Sequence, residues 1–264
     1  METTPVGSLL HYETVCLLDP LLARRLKRST VSTYQDFISM LMEDMDRVCE
    51  KVQERRDQYY DKKEDLITSV IVIALDAMDY NATHDTKIGG HVDIVVRGKN
   101  PSFLWIGEAK RDSSISWVSQ GFVQLCDKYA TGNKNQDHGG LLIYCQNKDA
   151  VGRLTEWEEN LRAQNLPEYE KEACPLLPET AFISKHRLST SGTKFKVRHI
   201  SLNLNFYTGK IPPQKEEPAA EVEVPSEGGV DSSLPTTKKE EPPIRTRAAK
   251  KTARRATRGK EQGR

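Results

Sequence analysis

Between Gly89 and Lys110 the chain reads Gly-Gly-His-Val-Asp-Ile-Val-Val-Arg, then Gly-Lys-Asn-Pro-Ser, then Phe-Leu-Trp-Ile-Gly-Glu-Ala-Lys. Two apolar, β-rich runs around a Gly-Asn-Pro turn cluster predict an antiparallel hairpin, which commits the molecule to a sheet. The hairpin is unusual in its charge. Asp93 lies between Val92 and Ile94, and Glu108 and Lys110 close the second run just after Trp105 and Ile106. A carboxylate among buried side chains is costly unless it meets a counter-charge, a hydrogen-bond donor or a metal.

Side chains alternate along a strand, so Glu108 and Lys110 share one face and Ala109 points to the other. With Lys99 to Ser102 as the loop, Gly98 faces Phe103, Val95 faces Ile106 and Asp93 faces Glu108. That register brings two carboxylates and an ammonium to one patch. An acidic residue two before a lysine also occurs at Asp61 with Lys63 and at Asp85 with Lys87, so the tripeptide has no meaning by itself. What distinguishes Glu108 is its place at the end of an apolar strand, opposite a second carboxylate. The plainer alternative is a structural ion pair at a sheet edge.

The order of the other elements follows from periodicity. Thr33 to about Tyr60 is helical, with Phe37, Leu41, Met45 and Val48 on one face and dense charge on the other. A second helix, about Lys62 to Met78, carries Ile67, Val70, Ile71, Ala74, Leu75 and Met78 as a wide apolar stripe. Glu64 stands at the N-terminal end of that inward face; a first-turn carboxylate is also favoured by the helix dipole alone. Asp79 to Ile88 is polar and reads as a loop. Ser113 to Ala130 predicts a helix with Trp117, Gly121, Phe122, Leu125 and Tyr129 on its apolar side and Gln124 next to it. Gly139 to Gln146 is a near-continuous apolar run, as a central strand covered on both faces requires. A helix from about Val151 to Gln164, a loop from Pro167 to Pro178 and a strand from Phe195 to Tyr207 complete the body. Residues 1 to 35, rich in leucine but interrupted by Pro20, predict short helices or an irregular arm.

At Asp93, Glu108 and Lys110 the chain resembles the PD-(D/E)xK nuclease superfamily, the restriction-endonuclease-like fold. The resemblance covers residues 61–150 by motif and extends to 207 by pattern. It implies an α/β fold with a mixed central sheet flanked by helices, preceded by an N-terminal helical extension (1–60) and followed by a linker and tail (208–264). It also implies that Asp93 and Glu108 hold Mg2+, with Mn2+ as a substitute, assisted by the Ala109 backbone carbonyl and by Glu64 from the preceding helix. Lys110 then positions or stabilises the attacking hydroxide. Some branches of the family place a Gln and a Tyr on the following helix, which makes Gln124 a candidate; Tyr129 stands five residues on rather than four and reads as core. The chemistry is consistent with the residue types, because magnesium prefers oxygen ligands and retains several waters. His84 and His91 lie near the proposed site in sequence; neither has a partner at metal-ligand spacing, so neither is read as a ligand, and contact with the scissile phosphate is the lesser alternative for His91, on the Asp93 face.

Composition adds the rest. Net charge is +1 over 264 residues, but residues 243–264 carry nine Lys and Arg against one Glu, so the preceding 242 residues sum to −7. No aromatic residue follows Tyr207, while Pro, Glu, Lys and Ser accumulate; such a segment cannot bury enough apolar surface to order itself. Its basic end offers attraction to a polyanion through counterion release. The five cysteines are scattered singly, without zinc-ligand or redox spacing, and read as buried thiols. The longest apolar run, Val70 to Leu75, is too short to cross a bilayer. The expectation is an intracellular, cytoplasmic, metal-dependent nuclease acting on DNA in the manner of restriction, repair or phage-defence enzymes, self-assembling or controlled by a regulatory protein. The competing expectations are a non-catalytic nucleic-acid-binding or scaffold protein, and the same site acting on RNA.

Overall fold

The structure is a computed structural model and describes residues 19–207, with Thr14, Leu17 and Gly209. These belong to one compact unit, Met1–Lys210; the second, Ile211–Arg264, lies outside the described residues, and with it the linker and basic tail. Most of the leucine-rich start, including Leu9, Leu10 and Leu18, lies outside them too. The order of elements is α1 (Pro20–Thr30), α2 (Tyr34–Glu54), α3 (Arg56–Tyr59), α4 (Glu64–Asp76), β1 (Asn81–Lys87), β2 (His91–Arg97), β3 (Leu104–Arg111), α5 (Ile115–Val123), a π-helical turn (Gln124–Tyr129), β4 (His138–Cys145), α6 (Ala150–Ala163), β5 (Glu170–Ala173), β6 (Ala181–Arg187) and β7 (Lys194–Asn203).

The strands form one seven-stranded mixed sheet in the order β1-β2-β3-β4-β7-β6-β5. The central strands β3, β4 and β7 run parallel; the outer pairs are antiparallel. Parallel neighbours need crossovers, and α5 and α6 supply them. Alternation along β4 divides the sheet into two faces. Leu142 and Tyr144 join Ile94, Trp105 and Leu202 in a core shared with Phe37, Leu41 and Met45 of α2 and Ile67 and Ile71 of α4. Leu141, Ile143 and Cys145 join Ile106 and Val197 in a second core with Phe122 of α5 and Leu154, Trp157 and Leu161 of α6. The molecule is therefore an α/β layer structure with helices on both faces. Among the described residues no helix is long and apolar enough to cross a membrane.

The helix starts follow from their caps. Thr33 accepts the Asp36 N–H, Ser114 that of Trp117 and Asp149 that of Gly152. The hairpin has the predicted register: Val95 pairs with Ile106, Ile94 with Gly107, and Gly98 N–H donates to the Phe103 carbonyl at 3.0 Å.

Two segments expected to be loops are strands. Asn81–Lys87 is β1, and Glu170–Ala173, within the expected Pro167–Pro178 loop, is β5; β6 follows at Ala181–Arg187. Both corrected segments are sheet edges, where one side and much of each face meet water, so neither carries an apolar period. The cysteines Cys49, Cys126, Cys145 and Cys174 are buried free thiols.

Candidate functional site

The site lies where β2 and β3 part. Their last ladder pair is Ile94 with Gly107, and beyond it the Ala109 N–H donates to Asp93 Oδ2 at 2.9 Å. A side chain has replaced backbone pairing, which ties the Asp93 carboxylate to the far strand. Glu108 and Lys110 then project on the side of α5, while the Ala109 methyl packs in the opposite core. Ala109 thus contributes its N–H to Asp93 and its Cβ to packing.

Lys110 Nζ donates to Glu108 Oε1 at 2.6 Å and lies 3.5 Å from Glu64 Oε1. Glu64, the first residue of α4, directs its other oxygen to the Arg111 N–H at 2.6 Å, so it caps the end of β3 rather than its own helix. Glu64, Asp93, Glu108 and Lys110 are therefore brought together from three elements. Glu108 is 1% exposed, and among the described residues its Oε2 accepts no hydrogen bond.

Electrostatics reflect that crowding. Burial first, and the charge of Asp93 second, push the Glu108 carboxyl up to about 8, against the pull of Lys110. Burial also raises Asp93, opposed by the Ala109 N–H and by Lys110. Burial works against the Lys110 ammonium, but the charge and hydrogen bond of Glu108, with Glu64, outweigh it and raise its pKa. The cluster is short of positive charge, although one lysine already serves it.

The helix over the site has two special features. Gly121 permits close approach: a Cβ there would lie 2.6 Å from Lys110 Cγ and 3.3 Å from Glu108 Cγ. After Val123 the helix widens into the π turn Gln124–Tyr129, where the Ala130 N–H reaches the Leu125 carbonyl at 3.0 Å. In an i→i+5 turn, residues five apart come nearly into line, so the spacing of Gln124 and Tyr129 does not separate them as an α-helix would. Tyr129 is buried, as expected of a core residue, yet its hydroxyl is raised by burial and then by the charges of Glu108 and Asp93. Nothing in the sequence announces a π turn. Gln124 is half-buried, and its backbone N–H donates to the Gln120 carbonyl.

Other expectations fare differently. His91 is exposed and bonded to Asp85 at 2.8 Å, which holds it at the sheet edge. His84 stays near enough to favour ionised Asp93, and Asp65, not singled out by the sequence, opposes it. Trp117, which the helical period placed in the apolar stripe, is 43% exposed and has the Lys110 ammonium 5.4 Å from its ring centroid.

Among the described residues no group of three or more His, Cys, Asp or Glu is arranged to hold a metal ion. Two carboxylates do share the gap between β2 and β3, one with a buried oxygen lacking a partner and both with raised pKa. That donor set fits a hard divalent ion that keeps most of its waters, while Glu64 is engaged with the Arg111 N–H and Lys110. No protein-family model, curated protein or solved structure matches the chain.

Proposed function

We propose that this protein is a Mg2+-dependent nuclease with a restriction-endonuclease-like core that hydrolyses DNA phosphodiester bonds. The observation carrying the proposal is the unpartnered, buried Glu108 Oε2, which shares a strand gap with Asp93 and lies beside Lys110. Perturbed titration in a buried charge cluster is a recurrent feature of functional sites.

Asp93 and Glu108 would hold the ion, with Glu64 assisting. When bound, Mg2+ acidifies water and offsets the charge that develops on the phosphoryl oxygens. The chain's own residues prepare the remainder. The Ala109 N–H fixes the Asp93 carboxylate, and Glu108 holds the Lys110 ammonium at 2.6 Å, where it can orient an attacking hydroxide and stabilise a developing oxyanion. Glu64, bonded to the Arg111 N–H, keeps the end of β3 in place. Gly121 lets α5 close over Lys110. The basic run at 243–264, with nine Lys and Arg against one Glu, supports a polyanionic substrate.

A second reading is a nucleic-acid-binding or scaffold protein in which the cluster is structural. Lys110 favours it, since a protein ammonium already sits on Glu108 Oε1 where an ion would bind. Purified protein incubated with plasmid DNA, or with RNA of the same length, decides between the readings. The expected result is DNA cleavage with Mg2+ or Mn2+ that falls at least about 100-fold in Glu108→Ala and stops in EDTA. Cleavage that survives both changes removes this mechanism, and the absence of cleavage leaves the scaffold.

A further inference from the structure

An exposed tryptophan beside a buried charge cluster is the feature that the hydrolytic reading does not use. The chain has three tryptophans. Trp105 and Trp157 are 1% and 0% exposed, whereas Trp117 is 43% exposed. Its backbone is held firmly: the Trp117 N–H donates to Ser114 Oγ at 3.2 Å in the cap of α5. One side of the indole is taken by the Lys110 ammonium at 5.4 Å from the centroid, a cation–π contact, and that ammonium is bonded to Glu108. Trp117 also stands four residues before Gly121, so on α5 the two lie one above the other, and the glycine lets the helix pack directly on Lys110 and Glu108, which are 6% and 1% exposed beneath it. The open ring is thus one ammonium away from the proposed reacting centre.

We infer that Trp117 is a stacking platform for an unpaired nucleobase next to the phosphate bound at Lys110 and Glu108. The inference rests on the nuclease reading and narrows its substrate to single-stranded DNA, or to duplex DNA with an unpaired end. Three observations select a base as the occupant. The surface offered is a rigid aromatic plane, which every nucleobase matches regardless of sequence. Its other side is polarised by a cation, which suits an electron-rich π system. Its position puts it within one nucleotide of a phosphate at Lys110. A base inside an intact duplex has both faces covered by its neighbours, so only an unpaired one can use the ring.

The test exploits the burial of the other two tryptophans, because accessible fluorescence in the full-length protein reports Trp117. Titrate the protein in EDTA, where cleavage is suppressed, with a thymidine oligonucleotide of about twelve residues. Repeat the titration with an oligonucleotide of equal length and charge in which tetrahydrofuran abasic units replace the thymidines. The expected result is quenching by the first and little by the second. The dissociation constant of the thymidine oligonucleotide should weaken about tenfold in Trp117→Ala, equal to about 1.4 kcal/mol and within the range of one base–aromatic stack. Trp117→Phe, which keeps a ring, should recover most of that loss. Equal quenching and equal affinity for the two oligonucleotides in the native protein would overturn the inference without any variant, as would an unchanged constant in a folded Trp117→Ala. Cleavage is assayed separately with Mg2+. Cleavage without base-dependent quenching defeats this inference and leaves the nuclease reading in place; base-dependent quenching without cleavage does the reverse.

Discussion

Asp44 on α2 and Glu108 on β3 are carboxylates of equal burial, 0% and 1% exposed, yet their surroundings differ in kind. Both oxygens of Asp44 are used: Arg24 Nε donates to Oδ1 at 2.7 Å, while Arg28 Nη1 and Tyr80 Oη donate to Oδ2 at 3.2 and 2.9 Å. The surplus there is on the donor side, since Arg24 Nη2 and Arg28 Nε have no partner among the described residues. Glu108 has one lysine, one unpartnered oxygen and a second carboxylate, Asp93, raising its pKa. The Asp44 cluster fastens α1 and the start of β1 to α2 and asks for nothing further. The Glu108 cluster leaves one carboxylate oxygen without a partner among the described residues and two carboxyls with raised pKa.

That contrast is broken most severely at Asp44. Replacing it by alanine leaves the part-buried Arg28 guanidinium and the Tyr80 phenol without their acceptor and Arg24 with Glu43 alone, and should cost about 3 kcal/mol in urea unfolding. Cleavage per folded molecule should be retained, because no group of the Asp93–Glu108 gap touches Asp44. A destabilisation well under 1 kcal/mol would show that the α1 arm contributes little to the body and that the two carboxylates are less different than they look.

The contrast is sharpened by supplying the missing charge. If Glu108 and Asp93 take a divalent ion, Mg2+ at ten times its dissociation constant should stabilise the native protein by about 1.4 kcal/mol, seen as a higher thermal midpoint. Glu108→Gln keeps the shape, removes the like-charge repulsion from Asp93, and should lose the Mg2+ response while remaining at least as stable as the native protein in EDTA. Equal Mg2+ responses in the two proteins would place any ion elsewhere.

How much of this was legible in the sequence follows the same physics. The hairpin register could be counted from its turn, because the loop from Lys99 to Ser102 fixes every pair behind it, and Val95 does meet Ile106. The central strand at Leu141–Cys145 declared itself by a continuous apolar run. The edges did not: Asn81–Lys87 buries only Ala82, and Glu170–Ala173 buries none of its four residues, so a method that looks for one dry face finds neither. At the site, the convergence of Asp93, Glu108 and Lys110 was countable once the register was known, and Glu64 was indicated by its place on the inward face of α4. The π turn was not, because it follows from packing rather than from any residue at 124–129. An α-helical count therefore separated Gln124 from Tyr129 and overlooked the field of Glu108 and Asp93 at the Tyr129 hydroxyl. Trp117 was misplaced for the converse reason: a helical period assigns an aromatic residue to the apolar side, and only the closeness of Gly121 to Lys110 shows that this side opens onto the charge cluster.

The satisfied and the unsatisfied occur side by side once more in the second core, on a smaller scale. His199 Nδ1 accepts from Trp157 Nε1 at 3.0 Å and its Nε2 meets Ser184 Oγ at 2.8 Å, which assigns the proton to Nε2. His186, 3% exposed with its ring 5.4 Å from Phe122, has an Nδ1 with no partner among the described residues. Burial lowers the pKa of both imidazoles, so both are held neutral. A histidine with a depressed folded pKa stabilises fully above its unfolded value of about 6.5, and that contribution is lost as pH falls below it, because the unfolded chain takes up the proton first. His186→Phe removes the unpartnered nitrogen and one of the two titrations. It should change stability by no more than about 1 kcal/mol at pH 7.5. Between pH 7.5 and pH 5 its urea midpoint should fall less than that of the native protein, the difference reporting His186. Parallel profiles for the two proteins would show that His186 is not held neutral by the fold, and that an unpartnered polar atom in this core has no measurable consequence.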